Sequence, residues 1–350
     1  MVPVVPIEPS QTDQVTSALT EYLRAQLTDR QVSYMETPAL LADGTDTFVY
    51  GFCLNGMEAD SPWSAPLVLR IFRRSEDAGR AELETSVQRF AAEGGYRTPT
   101  ILAFERDGAN LGLPFAVMRR AAGTTLLKRF EQNPLRVLSL VRTMAETHAA
   151  LHRLHTAGCP IPADGWLIER RLGTLATWME KYELPEARRA YAWLDEHKAA
   201  VIPEERSLCH NDFHPLNIVV DDAGGAMVID WSRAELGDRL HDVARSYVLM
   251  CLAQGGGRNL KERALLTVSR FVAGRYLAAY RRLLPFDERR FRYWQAVLTF
   301  QSWVETAPMM ALGAEAVGAR AGATSGYRHD IVDKISGEFW RCARSYERGS

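Results

Sequence analysis

Apolar positions along the 350-residue chain follow two different rhythms. In "SQTDQVTSALTEYLRAQL", Val15, Leu19, Tyr22 and Leu23 return every three or four residues. That spacing predicts a leading helix over about 10–27, opening on Ser10 and Asp13 in a capping-box-like pattern. From residue 46 the rhythm shortens. "TFVYGFCL", "APLVLRIF" and "PFAVMRR" are β-branched or aromatic runs bounded by Gly, Asn, Asp and Pro, the signature of strands. Between the last two, "EDAGRAELETSVQRFAAEGG" places Leu83, Val87, Phe90 and Ala91 at helical spacing and stops at Gly94–Gly95. Residues 46–118 therefore read as a mostly antiparallel sheet with one inserted helix.

Helical spacing then takes over. "PLRVLSLVRTMAETHAALHRLH" repeats Leu135, Leu138, Val141, Met144, Leu151 and Leu154. Further helices are expected over about 172–200, 235–253, 259–284, 286–307 and 329–346. The exceptions are "NIVV" and "AMVID", joined by "DDAGG", a hairpin signal. The pattern predicts an α+β chain of two lobes: a β-rich one over 1–118, a bridge over 119–125, and a larger, mainly α-helical one over 126–350. A cleft between such lobes is where a small ligand binds.

Composition removes several classes. With 42 Lys+Arg against 43 Asp+Glu, the chain is no dedicated nucleic-acid or membrane-surface binder. Five scattered cysteines without a CxxC pair read as free thiols of a reducing, cytoplasmic compartment. No run has the apolar length of a membrane span, and "MVPVVPIEPS" lacks the parts of a secretory signal.

The chemistry concentrates in "CHNDFHPLNIVV", residues 209–220. His210, Asp212 and His214 alternate, so on an extended segment they would face one zinc ion. The same residues would serve as a polar turn before a buried strand. A third reading is a phosphoryl-transfer loop. That reaction needs a carboxylate to orient and deprotonate a hydroxyl, and hard oxygen ligands for magnesium. Asp212, Asn217 five residues on, and Asp230 at the end of the hairpin have those donor types. Of the remaining groups, His148 and His152, at i,i+4, read as a surface or interface pair, and Cys209 as an apolar filler. Trp231 reads as packing beneath the loop, and Phe291, Tyr293, Trp294, Phe300 and Trp303 mainly as core.

"HNDFHPLN…VIDW" resembles the kinase catalytic loop H-x-D-x-x-x-x-N and the metal-binding aspartate that follows it. More closely, "DFHPLN" and "IDW…GD…DVA" resemble the aminoglycoside phosphotransferase family, which also includes macrolide, choline and homoserine kinases. The likeness can be followed over about residues 40–250. It implies a bilobal protein-kinase-like fold, ATP or GTP with Mg²⁺, and a small-molecule hydroxyl acceptor. It also implies a catalytic loop over 209–217 and a metal hairpin over 218–231. On it, Asp212 is the base and Asn217 and Asp230 hold Mg²⁺. His210 supports the loop backbone, and Asp238 and Asp242 hold the segment after the metal site. Arg70, in "LVLR", stands where the family's phosphate-contacting lysine is expected, and Glu84 where its partner glutamate belongs. Backbone groups near Met118–Arg120 stand where adenine binds.

Two departures qualify the likeness. Arginine at 70 is a planar fork where the family has a compact ammonium, the feature that favours a nucleotide-binding pseudokinase. "ADGTDTFVYG" is also poor in glycine, so phosphate cradling falls to Gly44, Thr45 and Thr47. For the acceptor, residues 251–350 hold sixteen Lys+Arg and nine Asp+Glu, the wrong sign for a strong polycation site. Glu305, Glu315 and Trp303, about which helices 259–346 would gather, are the candidate acceptor contacts. An aminoglycoside, a macrolide, another hydroxylated natural product or a small metabolic alcohol all fit, on a monomer or homodimer. The few residues between Asp230 and the next helix are too short for a peptide-docking activation loop.

Overall fold

In the computed structural model, which describes residues 7–28, 31–44, 46–203, 205–252, 260–319, 324, 327 and 329–349, the elements through the first sheet are α1 (Thr12–Gln26), β1 (Tyr34–Asp43), β2 (Thr47–Leu54), β3 (Leu67–Phe72), α2 (Ala78–Glu93), β4 (Ile101–Glu105) and β5 (Phe115–Arg119). Then follow β6 (Thr124–Thr125), α3 (Leu126–Gln132), α4 (Val137–His152), α5 (Leu167–Lys181), α6 (Arg188–His197), β7 (Ser207–Cys209), β8 (Ile218–Val220), β9 (Ala226–Val228) and β10 (Glu235–Gly237). Four helices close the chain: α7 (Arg239–Leu252), α8 (Leu260–Leu283), α9 (Glu288–Leu312) and α10 (Ile331–Glu347). They form two compact units. The first comprises Met1–Thr124, Gly158–Ile161 and Val219–Arg233; the second comprises Thr125–Ala157, Pro162–Ile218 and Ala234–Ser350.

The first unit is built on an antiparallel five-stranded sheet in the order β1-β2-β3-β5-β4. The stripe predicted on α1 is the face that packs: Val15, Leu19, Tyr22 and Leu23 join Tyr50, Phe52, Leu69, Ile71, Phe115 and Val117 in one core cluster. Each such side chain contributes about 1.5–3 kcal/mol on burial. The capping box does not form. Gln11 is the N-cap, without a side-chain bond, and the Ser10 hydroxyl donates to Glu8 instead.

Two strands escape the sequence pattern, and both lie at the sheet's edges. β1 is exposed at most of its positions, carries Pro38 and slips register against β2, so it has no alternation to read. β4 has five residues, too few for a period to show. On α2 the buried face holds Glu84, Thr85, Val87, Gln88 and Ala91, whereas Leu83 is exposed. An inward face this polar cannot be found by hydrophobic spacing.

In the second unit, α4 runs beside α8, and α9 packs on α7 and α10. The helix expected over 172–200 is two helices, because Glu183 adopts φ 50° and Pro185 follows. α4 begins at Val137, so Leu135 lies before it; Leu135 and Leu138 are both exposed. The stretch at 235 begins as a strand, β10, which pairs antiparallel with β7. Residue 259, where a late helix was expected to begin, lies outside the described residues. Trp303 packs against Phe300 and Phe339 in the aromatic core. No described helix is long and apolar enough to cross a membrane.

The hairpin of β8 and β9 packs mostly with the first unit, although sequence alone assigned 218–231 to the helical lobe. The Val228 amide donates to the Arg97 carbonyl at 3.0 Å, and Arg97 reaches Asp221 at 3.2 Å. These bonds tie the hairpin to the segment that follows α2.

Candidate active site

The predicted residues fall in both units, and each group is described within its own. In the second unit, β7 delivers the chain into a loop whose backbone is held from outside. Asp242 Oδ2 accepts from the His210 amide at 2.5 Å, and Oδ1 from the Asn211 amide at 2.9 Å. Asn211 adopts φ 58°, a conformation that costs energy unless the surroundings fix it. Its side chain is fully engaged. Nδ2 donates to Glu235 at 3.1 Å, and Oδ1 receives His241 Nδ1 at 2.9 Å. Arg245 donates to its carbonyl.

The turn so enforced presents Asp212. Asn217 Nδ2 donates to the Asp212 carbonyl at 2.9 Å and to its Oδ2 at 3.2 Å. His214 Nε2 lies 3.4 Å from the same oxygen, and Arg245 Nη2 lies 3.9 Å from Oδ1. His210 is buried, and its Nδ1 accepts from the Asp212 amide at 3.3 Å. Among the described residues, His210, Asp212 and His214 form no three-ligand metal cluster, so the zinc reading of the loop fails.

The cluster that does form is elsewhere. His148 and His152, expected at a surface or interface, are buried against Asp242. Their Nε2 atoms lie 3.0 and 3.3 Å from Asp242 Oδ2. Their Nδ1 atoms lie 2.6 and 2.7 Å from the hydroxyls of Tyr276 and Tyr280. A neutral imidazole donates from one nitrogen and accepts at the other, so His152 donates to Asp242 and accepts from Tyr280, while His148 sets its Nε2 against the same carboxylate and its Nδ1 against Tyr276. Burial lowers both histidines, His152 to about 4. Burial acts to raise Asp242, but its contacts with His148 and His152 overcome this and hold it well below the carboxylate range. Sequence offered one signal here: i,i+4 histidines on an otherwise apolar helix face.

Asp238 caps the start of α7 by accepting from the Leu240 amide at 2.9 Å. It also receives Trp294 Nε1 at 2.6 Å and pairs with Arg290 at 3.0 Å. It therefore anchors α7, which carries Asp242. Cys209 is buried, and burial raises its thiol well above the ordinary value, as a filler requires.

In the first unit, Arg70 uses its three nitrogens on three partners. Nε donates to Thr47 Oγ1 at 3.3 Å, Nη1 bonds Glu84, and Nη2 lies 3.4 Å from Asp230 Oδ1. A lysine has no such fork. Glu84 is buried, and burial pushes its carboxyl up against the opposing pull of Arg70. Asp230 adopts φ 65°, and the side chain is 40% exposed. Trp231 packs on Tyr96 and donates to Thr98.

The glycine-poor turn offers less than expected. The Gly44 amide is already bonded to the Thr47 carbonyl at 3.0 Å, and the Gly44 carbonyl accepts from Arg73. Thr47 is buried with its hydroxyl on Arg70. Thr45 lies outside the described residues. At the bridge, Met118 sits on β5 between β3 and β4. The Arg120 amide donates to the Pro66 carbonyl at 2.8 Å, so its backbone can offer a nucleotide base only its carbonyl.

Of the acceptor candidates, Trp303 is 5% exposed and part of the core. Glu305 accepts from Gln301 at 2.7 Å, and Glu315 is exposed. The donor set for a divalent cation fits in kind. Asn217 commits its NH₂ to Asp212, which turns its amide oxygen to other partners, and Asp230 is a partly exposed carboxylate; both are hard oxygen donors of the type Mg²⁺ takes.

A model of the phosphotransferase enzyme family matches residues 59–294. The chain belongs to the phosphotransferase enzyme family. The hygromycin-B 4-O-kinase of Escherichia coli is 28% identical over 164 residues, 41% of this chain and 46% of that enzyme. The match thus spans about half of that relative's length. The crystal structure of aminoglycoside phosphotransferase APH(4)-Ia superposes with a TM-score of 0.59 at 18% identity, covering 94% of this chain and 98% of that one. Choline kinase LicA from Streptococcus pneumoniae gives 0.57 at 11% identity over 94% and 99%. At such identities the likeness is one of fold: the sheet-plus-helices fold of kinase-like phosphotransferases.

Proposed function

We propose that this family member is an ATP- and Mg²⁺-dependent O-phosphotransferase acting on a hydroxyl of a small molecule. The observation that carries the reading is Asp212 held on an externally fixed loop by Asn217 and His210. Asp212 orients the acceptor hydroxyl and takes its proton as the oxygen attacks the γ-phosphorus, with ADP leaving. Asn217 and Asp230 hold Mg²⁺, which when bound neutralises phosphate charge. Arg70, braced by Glu84, steadies the nucleotide. APH(4)-Ia has been crystallised with ADP and hygromycin B, which supports a nucleotide and a hydroxylated acceptor as co-substrates.

For the acceptor, the positive balance of residues 251–350 and the engagement of Glu305 favour a hydroxylated natural product of low positive charge over a strong polycation. The test is a coupled ADP-release assay with hygromycin B, kanamycin, a macrolide and choline. At least one acceptor is expected to raise Mg²⁺-dependent turnover over background. Asp212→Asn then lowers kcat by roughly 10²–10⁴-fold and leaves nucleotide affinity unchanged. Wild-type turnover by Asp212→Asn would remove the base from this scheme.

A further inference from the structure

Asp230 holds a left-handed backbone, and the hairpin alone does not explain what keeps it there. The restraint comes from Tyr96, Arg97 and Thr98, in the segment that follows α2. Thr98 Oγ1 donates to the Val228 carbonyl at 2.9 Å and accepts from Trp231 Nε1 at 2.9 Å. One hydroxyl therefore ties the residue two before Asp230 to the residue one after it. Thr98, Val228 and Trp231 are all buried. The neighbouring Arg97 carbonyl receives the Val228 amide, and the Tyr96 ring meets Trp231 edge-on at 5.8 Å. At the far end of the hairpin, the Arg97 guanidinium lies so close to Gly225 that a Cβ there would come within 2.1 Å of it.

A second path joins the same residues. Asp230 faces Arg70, Arg70 bonds Glu84, and Glu84 rides on α2. That helix runs out through Gly94 and Gly95 into Tyr96, Arg97 and Thr98. The contacts close into a ring: Asp230, Arg70, Glu84, α2, Thr98 and back to Asp230.

We infer that Thr98 is a positioning residue, which fixes the Asp230 backbone for a divalent cation and makes α2 and that carboxylate move as one. The inference rests on the reading of Asp230 as a metal ligand. Its chemistry is specific to a side chain that both donates and accepts. Valine has the same shape but leaves the Val228 carbonyl and the Trp231 indole N–H buried without this partner, whereas serine keeps both bonds.

The test uses the full chain as wild type, Thr98→Val, Thr98→Ser and Trp231→Phe. Two quantities are read: amide exchange over residues 226–232 in metal-free protein, and calorimetric binding of AMP-PNP across a Mg²⁺ series. Thr98→Val is expected to speed exchange there, and to raise the half-saturating Mg²⁺ concentration, each by about tenfold, the low end of the cost of leaving a buried donor and a buried acceptor without their partner. AMP-PNP affinity without metal stays unchanged, and Thr98→Ser remains close to wild type. A lowered melting temperature in Thr98→Val with the wild-type Mg²⁺ dependence means a merely structural hydroxyl and overturns the inference. If Thr98→Val does not fold, Trp231→Phe decides: a raised half-saturating Mg²⁺ concentration supports the inference, and wild-type saturation overturns it. A wild type that binds AMP-PNP without regard to Mg²⁺ sinks the metal role of Asp230 as well; a Mg²⁺-dependent wild type with an unaltered Thr98→Val sinks this inference alone.

Discussion

Arg70 shows how one substitution in a motif changes the physics while leaving the position intact. Lysine would place one ammonium near one or two acceptors; the guanidinium spans Thr47, Glu84 and Asp230 at once. Arg70→Lys is therefore expected to keep the charge but lose the simultaneous contacts, raising KM for Mg-nucleotide more than it lowers stability. Arg70→Met is harsher, because it strands the buried Glu84 carboxylate. Removing one partner of a buried pair costs about 3–5 kcal/mol, whereas replacing both with apolar groups costs less. Urea melts should thus rank Arg70→Met below the double variant Arg70→Met/Glu84→Met. The reverse order would mean that Glu84 is already protonated or finds another partner. At this scale the motif residues were legible because their chemistry dictates their identity. Thr98 was not, since its partners Val228 and Trp231 lie 130 and 133 residues away.

Elements are placed by contacts that hydrophobic spacing cannot report. α4, α7 and α8 meet through His148, His152, Tyr276, Tyr280 and Asp242 rather than through a uniform apolar seam. This gives the helical unit a pH signature whose sign can be worked out. His152 has a folded-state value of about 4 against the ordinary histidine value of 6.5. A lowered histidine value means that the folded form resists protonation while the unfolded chain accepts it. Stability is therefore full above about pH 6.5 and falls as the pH drops towards 4, by roughly 3 kcal/mol for His152. His148, also lowered, adds to the loss in the same direction, and Asp242 extends it to more acid pH. Denaturant midpoints measured from pH 8 to pH 4 check this; a flat profile would place the histidines in water. The bridge gives a second prediction at this scale. Gly123 adopts φ 105°, and a Cβ there would come within 2.0 Å of the Val220 carbonyl. Gly123→Ala is expected to cost several kcal/mol, more than the ~1 kcal/mol of an ordinary glycine exchange, as thermal melts of the pure variant will read. The periodic helices α1 and α10 were legible in the sequence for the same reason that β1 was not: each buries one stripe of its surface, whereas an exposed edge strand has no face to alternate.

At the scale of the molecule, the chain does not deliver its units in sequence order. The first unit borrows Val219–Arg233 from a segment about a hundred residues after its sheet is complete, and with it Asp230. Sequence alone cannot show this, because β8 and β9 are as apolar as any strand and the bonds that claim them end on Arg97 and Thr98. The consequence separates folding from metal binding. The core cluster around Leu19, Tyr50, Leu69 and Phe115 lies wholly between α1 and β5. A fragment of residues 1–124 keeps that cluster and is expected to unfold cooperatively, at a lower temperature than the whole chain. The same fragment lacks Asp230, Val228 and Trp231, so Arg70 loses one of its acceptors and Thr98 both of its partners. It should bind AMP-PNP weakly and with no dependence on Mg²⁺. Adding residues 125–350 as a separate chain returns the hairpin, and with it the metal dependence. Calorimetry on the fragment, on the mixture and on the intact protein distinguishes the cases. Mg²⁺-dependent binding by residues 1–124 alone would mean that the cation is held without Asp230, and the assignment of that carboxylate would have to be given up.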